Sequence, residues 1–407
     1  MSTIINPWLR VFLPFAVGYY LSYLLRNVNA VIAPELMRDF GLSAGDLGLL
    51  TSAYLMAFGA FQLPLGLLLD RYGARRVEAS LLLVTATGAG VFALAQNLPQ
   101  LALGRAAIGL GVSACLMASF TAFSQWFALE RQASLNAAIM AAGSMGALTA
   151  SAPLGWALPL VGWRGSFAAL AVFALLAAAG IFSTPEKRRA QTGERFAAQL
   201  LGLRQVLGSR VFWRYAPQSA LIVGGFMAIQ GLWAVPWLIN FSGYTRAVAA
   251  DHLLFMSLGM LVGFLSIAAF VTRLAARGLH PETILNVGMG TGLLVGLLIL
   301  LDAASTYFLW TAMGVVFSVG NLSYALLARN FSPHLAGRAN TALNLLAFVG
   351  AFSVQWGFGA AVDLLAASGG TLRDAYLRAF MLLLALQALS YLWYLLSPRP
   401  RSFARPR

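Results

Sequence analysis

Apolar residues recur in runs of about 20 along the chain, separated by short polar breaks, and a helix of that length crosses a bilayer core of about 30 Å. The pattern predicts twelve spans. Six lie in the first half: Val11–Pro34, Asp46–Leu69, Val77–Gln96, Pro99–Phe127, Ser134–Leu158 and Arg164–Thr184. Six lie in the second: Phe212–Phe241, Ala247–Leu274, Pro281–Leu301, Thr306–Ala328, Ala339–Leu365 and Ala375–Leu396. The runs are continuous, without the period-two alternation of a membrane barrel, so helices are expected. The fold class is therefore all-α integral membrane, with a first bundle over 1–184, a cytoplasmic linker over 185–211, a second bundle over 212–398 and a basic tail over 399–407. Within the linker, Phe196–Leu207 has an amphipathic pattern and is expected to lie on the inner membrane surface.

Composition agrees. Of the 407 residues, 60% are hydrophobic and only 10% charged, against about 25% charged in a soluble domain. So little charge cannot cover a water-facing surface, and the lipid bilayer is the expected solvent. A net charge of +14 first raises the question of a nucleic-acid partner. Its distribution answers it. With a cytoplasmic N-terminus, twenty basic residues fall on inner loops and tails and five on outer loops, with Arg26 and Arg105 inside spans. That asymmetry obeys the positive-inside rule, places both termini in the cytoplasm, and accounts for the charge through anionic lipid headgroups, without nucleic acid. The single Cys115 cannot form an internal disulfide. The first apolar run follows Arg10 and lacks a small-residue cleavage site, so it reads as a retained helix.

Two features mark the chain as an internal repeat. Arg131-Gln-Ala-Ser-Leu-Asn136 precedes the fifth span, and Arg338-Ala-Asn-Thr-Ala-Leu-Asn344 precedes the eleventh. Gly66-Leu-Leu-Leu-Asp70-Arg71-Tyr72-Gly73-Ala74-Arg75-Arg76 joins the second and third spans, and Arg273-Leu-Ala-Ala-Arg277-Gly278 follows the eighth as a degraded copy lacking the aspartate. The first of these loops reads G-x-x-x-D-R-x-G-x-R-R. It resembles the signature loop of the major facilitator superfamily, with every defining position filled. The resemblance extends over the whole chain. It implies a secondary transporter with two six-helix halves, alternating access, and a substrate held near the membrane midplane. Gly66, Asp70, Arg71, Gly73, Arg75 and Arg76 are then conformational-gating residues. Asp70 could face the positive N-terminal end of the eleventh helix, near Arg338.

Intramembrane charge costs about 2.5–3.5 kcal/mol on insertion scales, so each case is a candidate site. Arg26 lies about 12 Å from the outer end of its span and Arg105 about 9 Å from the same side, at about 1.5 Å per residue. Tyr19, Tyr23 and Arg26 share one helical face. Tyr23-Leu-Leu-Arg26-Asn27 resembles the first-helix segment of organophosphate exchangers and related organic-anion carriers, in which the matching arginine binds the anionic group. Arg105-x-x-x-Gly109-x-Gly111 resembles the fourth-helix arginine motif of the superfamily, which serves structure or proton coupling. All thirteen acids, and His252, His280 and His334, read as loop or span-end residues. Two positive charges with no buried acid favour an anion. A coupling proton would then ride on substrate or on a span-end acid such as Glu35. The second half offers neutral groups: Gln230 and Trp233 beside Pro236, Asn321 and Tyr324, Asn344 and Gln355.

The expected function is transport of a small organic anion, a carboxylate or phosphorylated metabolite, across a bacterial inner membrane by a monomer without cofactor. No G-x-x-x-x-G-K loop and no metal-ligand spacing supports an enzyme or a metal site. Two alternatives stand: a proton-coupled drug or cation exporter of the same fold, and a membrane sensor that does not transport. Gly146 and Pro153 are far apart, a poor match to the fifth-helix motif of exporters.

Overall fold

In the computed structural model the described residues are 7–128, 131–185, 196–301 and 306–398. The basic run Lys187-Arg188-Arg189, the acids Glu130, Glu186, Glu194 and Asp302, and the tail 399–407 lie outside them. The described chain is helical throughout, without strands. Eleven helices are long and apolar enough to cross a membrane, and the fifth span contributes a shorter one, Gln132–Thr149. Their outward faces carry exposed leucines such as Leu160, Leu364 and Leu396, as lipid-facing helices do once all backbone polar groups are paired internally.

The first span, Trp8–Phe40, stops at Gly41, whose φ of 62° ends the helix in the left-handed conformation. The second, Ala44–Tyr72, starts with a reciprocal cap. The Ser43 hydroxyl accepts from the Asp46 amide at 3.1 Å, and the Asp46 carboxylate accepts from the Ser43 amide at 3.2 Å. The third, Ala74–Leu94, begins one residue after the second ends. That one residue is Gly73, with φ 81° and its amide bonded to the Leu69 carbonyl at 3.0 Å. A side chain at this φ is strained, which explains the second glycine of the loop signature. Gly66 has no such explanation, since a Cβ there would meet open space.

Several spans are interrupted. The fourth, Leu98–Trp126, breaks at Ser113-Ala114, and the tenth, Thr306–Ala328, breaks at Gly320-Asn321, at nearly the same depth from its start. Ala152–Phe182 holds the end of the fifth span and all of the sixth, divided at Gly162 (φ 65°, ψ 172°). The seventh, Arg210–Asn240, carries π-helical turns at Ser219–Val223 and Ile229–Trp233, close to Pro217 and Pro236. Proline removes a backbone donor and crowds the preceding turn, and a π-turn absorbs the mismatch. The Pro236 carbonyl also accepts from Asn240 Nδ2 at 2.8 Å.

The chain forms two compact units. One is Met1–Gly193 with Gly231–Leu254, and the other is Glu194–Gln230 with Phe255–Arg407. Inside each unit glycines set the helix contacts. A Cβ at Gly109 on the fourth span would strike the Tyr54 backbone on the second, and one at Gly314 on the tenth would strike the Met256 backbone on the eighth. Gly146 on the fifth meets the Tyr20 backbone on the first, and Gly350 on the eleventh meets the Ala220 backbone on the seventh. The same helix pairs touch through glycine in both halves, so the repeat is built into the packing. Lipid supplies no hydrophobic drive between helices, and close approach through small residues replaces it.

The linker helix Phe196–Leu207 uses its apolar face against protein. Val206 is buried in a cluster with Phe212, Leu285 and Leu343, and Leu203 packs beside it. Gly202 lies directly over the Arg338 guanidinium.

Gly314→Val should separate the eighth and tenth spans and lower stability by about 1–3 kcal/mol, the usual cost of overpacking. Gly66→Ala should leave stability unchanged. Thermal unfolding in detergent measures both, and an unchanged midpoint for Gly314→Val contradicts the packing argument.

Candidate functional site

The polar interior of the first unit is organised by Arg26, Arg105 and three tyrosines. Arg26 is partly buried, with its guanidinium 4.7 Å from the Tyr23 ring centre and 5.1 Å from that of Phe58. Tyr19 and Tyr54 lie within electrostatic reach of it. Aromatic faces attract a cation, by about 2 kcal/mol when desolvated. The Tyr19 and Tyr23 rings meet edge-on at 5.1 Å, and Gly143 on the fifth span leaves the room they occupy. Tyr19 is buried, its hydroxyl 3.7 Å from Met140 Sδ.

Arg105 is 0% exposed. Its Nη1 donates to the Leu25 carbonyl at 2.9 Å, and its guanidinium lies 4.8 Å from the Tyr54 ring centre. The two arginines thus meet the first span at adjacent residues. Tyr54 serves both, giving its face to Arg105 and standing beside Arg26, while its hydroxyl donates to the Ser22 carbonyl at 3.3 Å. Sequence reading passed over Tyr54 and Phe58. Their four-residue spacing on the second span was the available signal.

One expectation is overturned. Glu78 was read as a span-end acid, yet it is 0% exposed, within the third span. A loop over 70–76 would have put it at headgroup level. The turn is Gly73 alone, so the helix starts at Ala74 and carries Glu78 a full turn inward. Neither carboxyl oxygen has a hydrogen-bond partner among the described residues. His252 is likewise no loop residue. It is buried in the helix Arg246–Ala276, with Nδ1 2.7 Å from the Val248 carbonyl and its ring stacked on Tyr244. Glu35, near the C-terminal end of the first span, forms an ion pair with Arg246 inside the same unit.

The remaining expected site residues divide between the units. Trp233, fully buried, belongs with the first. Gln230, Asn321, Tyr324 and Gln355 belong with the second. Gln230 Nε2 donates to Ser257 Oγ at 3.3 Å, and Tyr324 donates to Asn344 Oδ1 at 3.1 Å. Gln355 is buried, and Asn321 is exposed at the break in the tenth span. The second unit also holds an ion pair missed in the sequence, between a buried arginine and a half-exposed glutamate. Arg214 bonds Glu282 at 2.8 Å and the Ser397 carbonyl at 3.1 Å, tying together the seventh, ninth and twelfth spans.

Of the signature loop, Arg75 donates to the Thr184 carbonyl at 3.3 Å and Arg71 stacks on Tyr72 at 5.2 Å. Arg76 is exposed. Asp70 ends the second helix, and its side chain lies outside what the structure describes. Arg338 is the residue beneath the linker helix. No group of three or more metal-ligating side chains occurs among the described residues.

Interrupted helices, a repeated bundle and arginines set among tyrosines inside the membrane define a multi-pass membrane protein of the transporter type of fold. The chain belongs to the Major Facilitator Superfamily, whose pattern matches residues 15–355. It is similar to the hexuronate transporter of Escherichia coli (strain K12), 27% identical over 49% of this chain and 50% of that protein. It is also similar to the probable L-galactonate transporter of the same strain, 25% identical over 60% of this chain and 57% of that protein. The match thus spans about half the length of these curated relatives. Among solved structures, a D-xylose–proton symporter superposes with a TM-score of 0.76 at 16% identity, over 96% of this chain and 98% of that one. A bacterial homologue of the human lysosomal transporter Spinster gives 0.75 at 16% identity, over 98% of both chains.

Arg105→Met keeps the volume and removes a buried charge, so stability should hold or rise, as replacement of buried charge by apolar groups often does. Arg105→Ala leaves a cavity and should cost about 2–5 kcal/mol. Detergent melting curves separate the two. A large loss for the methionine variant would show that the Leu25 bond outweighs the desolvation of the charge.

Proposed function

We propose that the protein is a secondary transporter that moves a small organic anion, a carboxylate or phosphorylated metabolite, across a bacterial inner membrane by alternating access. Arg26 carries this reading. Its guanidinium lies against the Tyr23 and Phe58 rings, with Tyr19 and Tyr54 in electrostatic reach, and a positive charge in this setting favours an anionic substrate. A guanidinium also offers a planar, bidentate fork to a carboxylate. The relatives named for hexuronate and L-galactonate handle sugar carboxylates, which is the chemistry such a fork recognises.

In this reading Tyr19 and Tyr23 orient Arg26, and Arg105 adds positive potential. Gln230, Trp233, Asn321, Tyr324 and Gln355 supply neutral hydrogen bonds and apolar contact to the rest of the substrate. Asp70, with Gly66, Arg71, Gly73, Arg75, Arg76 and Arg338, governs the balance between inward- and outward-open states. The protein works as a monomer with both termini in the cytoplasm, and protons are the coupling ion.

Buried Glu78 sustains one rival reading, a proton-coupled cation exporter, since such carriers use an intramembrane acid. Its enclosure by three other spans argues against contact with a bulky cation.

Galacturonate counterflow in proteoliposomes tests the main reading. Wild-type protein should exchange it. Arg26→Lys should retain a fraction of the rate, and Arg26→Gln almost none, because the amide loses both charge and fork. The primary amide of galacturonate should not compete. Wild-type rates for correctly inserted Arg26→Gln, or preference for a lipophilic cation over every anion, would defeat the proposal.

A further inference from the structure

The anion site leaves one buried ionisable group unused, the carboxyl of Glu78. It is fully enclosed, and neither oxygen has a hydrogen-bond partner among the described residues. Three other spans close on it. The first contributes Gly18, where an added Cβ would collide with Glu78 Oε1. The sixth brings Ile181 to the same point. The fourth contributes the buried Cys115 thiol. Of these neighbours only Cys115 is titratable. Arg75, three residues earlier on the same helix, turns to the Thr184 carbonyl. Arg71 and Tyr72, at the end of the second span, are exposed and stack on each other. No ion pair holds Glu78 among the described residues.

The repeat supplies an independent observation. Gly146 packs on Tyr20 and Gly350 on Ala220, so the first and seventh spans align with Tyr20 matching Ala220. Gly18 then matches Gln218. Gln218 is fully buried, and neither its amide oxygen nor its nitrogen has a hydrogen-bond partner among the described residues. Each half therefore encloses an unpartnered polar side chain at one equivalent place. In the second half it is an amide, fixed in charge. In the first it is a carboxyl, and glycine is kept opposite to make room for it. An amide has nearly the shape of a protonated carboxyl, so only the first half holds a group there that can change charge.

We propose that Glu78 is a proton-binding site, the residue that takes up and releases the coupling proton. The role in coupling rests on the transporter reading above. Enclosed by Gly18, Ile181 and the Cys115 thiol, the carboxyl has no cation beside it among the described residues, and a buried ionised carboxylate without a counter-charge is strongly disfavoured. Release requires the chamber between the first, third, fourth and sixth spans to admit water. The carboxyl O–H bond then breaks and its proton passes to that water, leaving a carboxylate and a hydronium ion. Uptake is the reverse. Cys115 lies within electrostatic reach of Glu78 and also of Tyr19 and Arg26.

The first test uses no organic substrate. Purified wild-type protein and Glu78→Gln are titrated and followed by infrared difference spectroscopy. Wild type should show a protonated-carboxyl carbonyl band that changes with pH and is missing from Glu78→Gln. Identical spectra overturn the proposal. The second test uses galacturonate in proteoliposomes. Glu78→Gln should exchange it at the wild-type rate in counterflow yet fail to accumulate it against a gradient when a pH difference is imposed. Wild-type accumulation overturns the proposal, and so does loss of counterflow in folded Glu78→Gln. If Glu78→Gln does not fold, Glu78→Asp carries both measurements. It should keep the band and a slower accumulation, and a retained band with no accumulation counts against the coupling role. A wild-type protein that titrates but moves no galacturonate defeats the organic-anion reading and leaves the proton site standing.

Discussion

Close backbone approach at glycine is the constraint on which the rest of this structure depends. In lipid, burying an apolar side chain between helices gains little, because the tails outside are equally apolar. Contacts therefore come from shape. Gly109 against Tyr54 and Gly146 against Tyr20 bring the second, fourth, fifth and first spans within reach of one another's backbones. That proximity lets Arg105 on the fourth span reach the Leu25 carbonyl on the first. It also sets Tyr54 beside both guanidiniums. A bulkier residue at either glycine would move the arginines apart, so the site's electrostatics follow from packing.

Given that packing, the interior handles charge in two ways. Arg214 has the usual arrangement, an acid at 2.8 Å and a carbonyl. Arg26 and Arg105 lie against rings, which stabilise a cation through their quadrupoles. The first arrangement closes an electrostatic circuit and serves structure. The second sets the cations among aromatic rings. This difference, more than depth in the membrane, separates the candidate site from the other buried arginines.

The sequence made the large scale legible. Twelve spans, the two-half repeat and a short connection within 70–76 follow from run length, loop charge and a glycine in a fixed pattern. Rotation of each helix about its axis was not legible. Spans that meet lipid outside and apolar neighbours inside are apolar on every face, so no polar stripe marks the inward side. Hence the partner of Arg105 was hidden, as was the Arg214–Glu282 pair between residues 68 positions apart. Glu78 was misplaced for a simpler reason. A turn of one residue cannot be told from one of several by composition, and one helical turn separates a headgroup from the interior. The linker helix was recognised by its apolar face. What covers that face, Phe212, Leu285 and Leu343 around Val206, depends on tertiary docking.

The repeat shows why the halves differ chemically while packing alike. With Tyr20 matched to Ala220, Arg26 falls opposite Phe226, whose ring stacks on Phe317 at 3.7 Å. With Gly109 matched to Gly314, Arg105 falls opposite Trp310, which is buried. Both arginines of the first half thus have large aromatic counterparts in the second. The scaffold needs bulk at these positions and does not need charge. Charge at two of them in one half only is an addition to the fold, costly in a medium of low dielectric. Such a cost is sustained where the charge acts on something outside the fold itself. The positions where the repeat departs from its own symmetry are therefore where a bound partner is to be sought, and in this chain they gather around the first span.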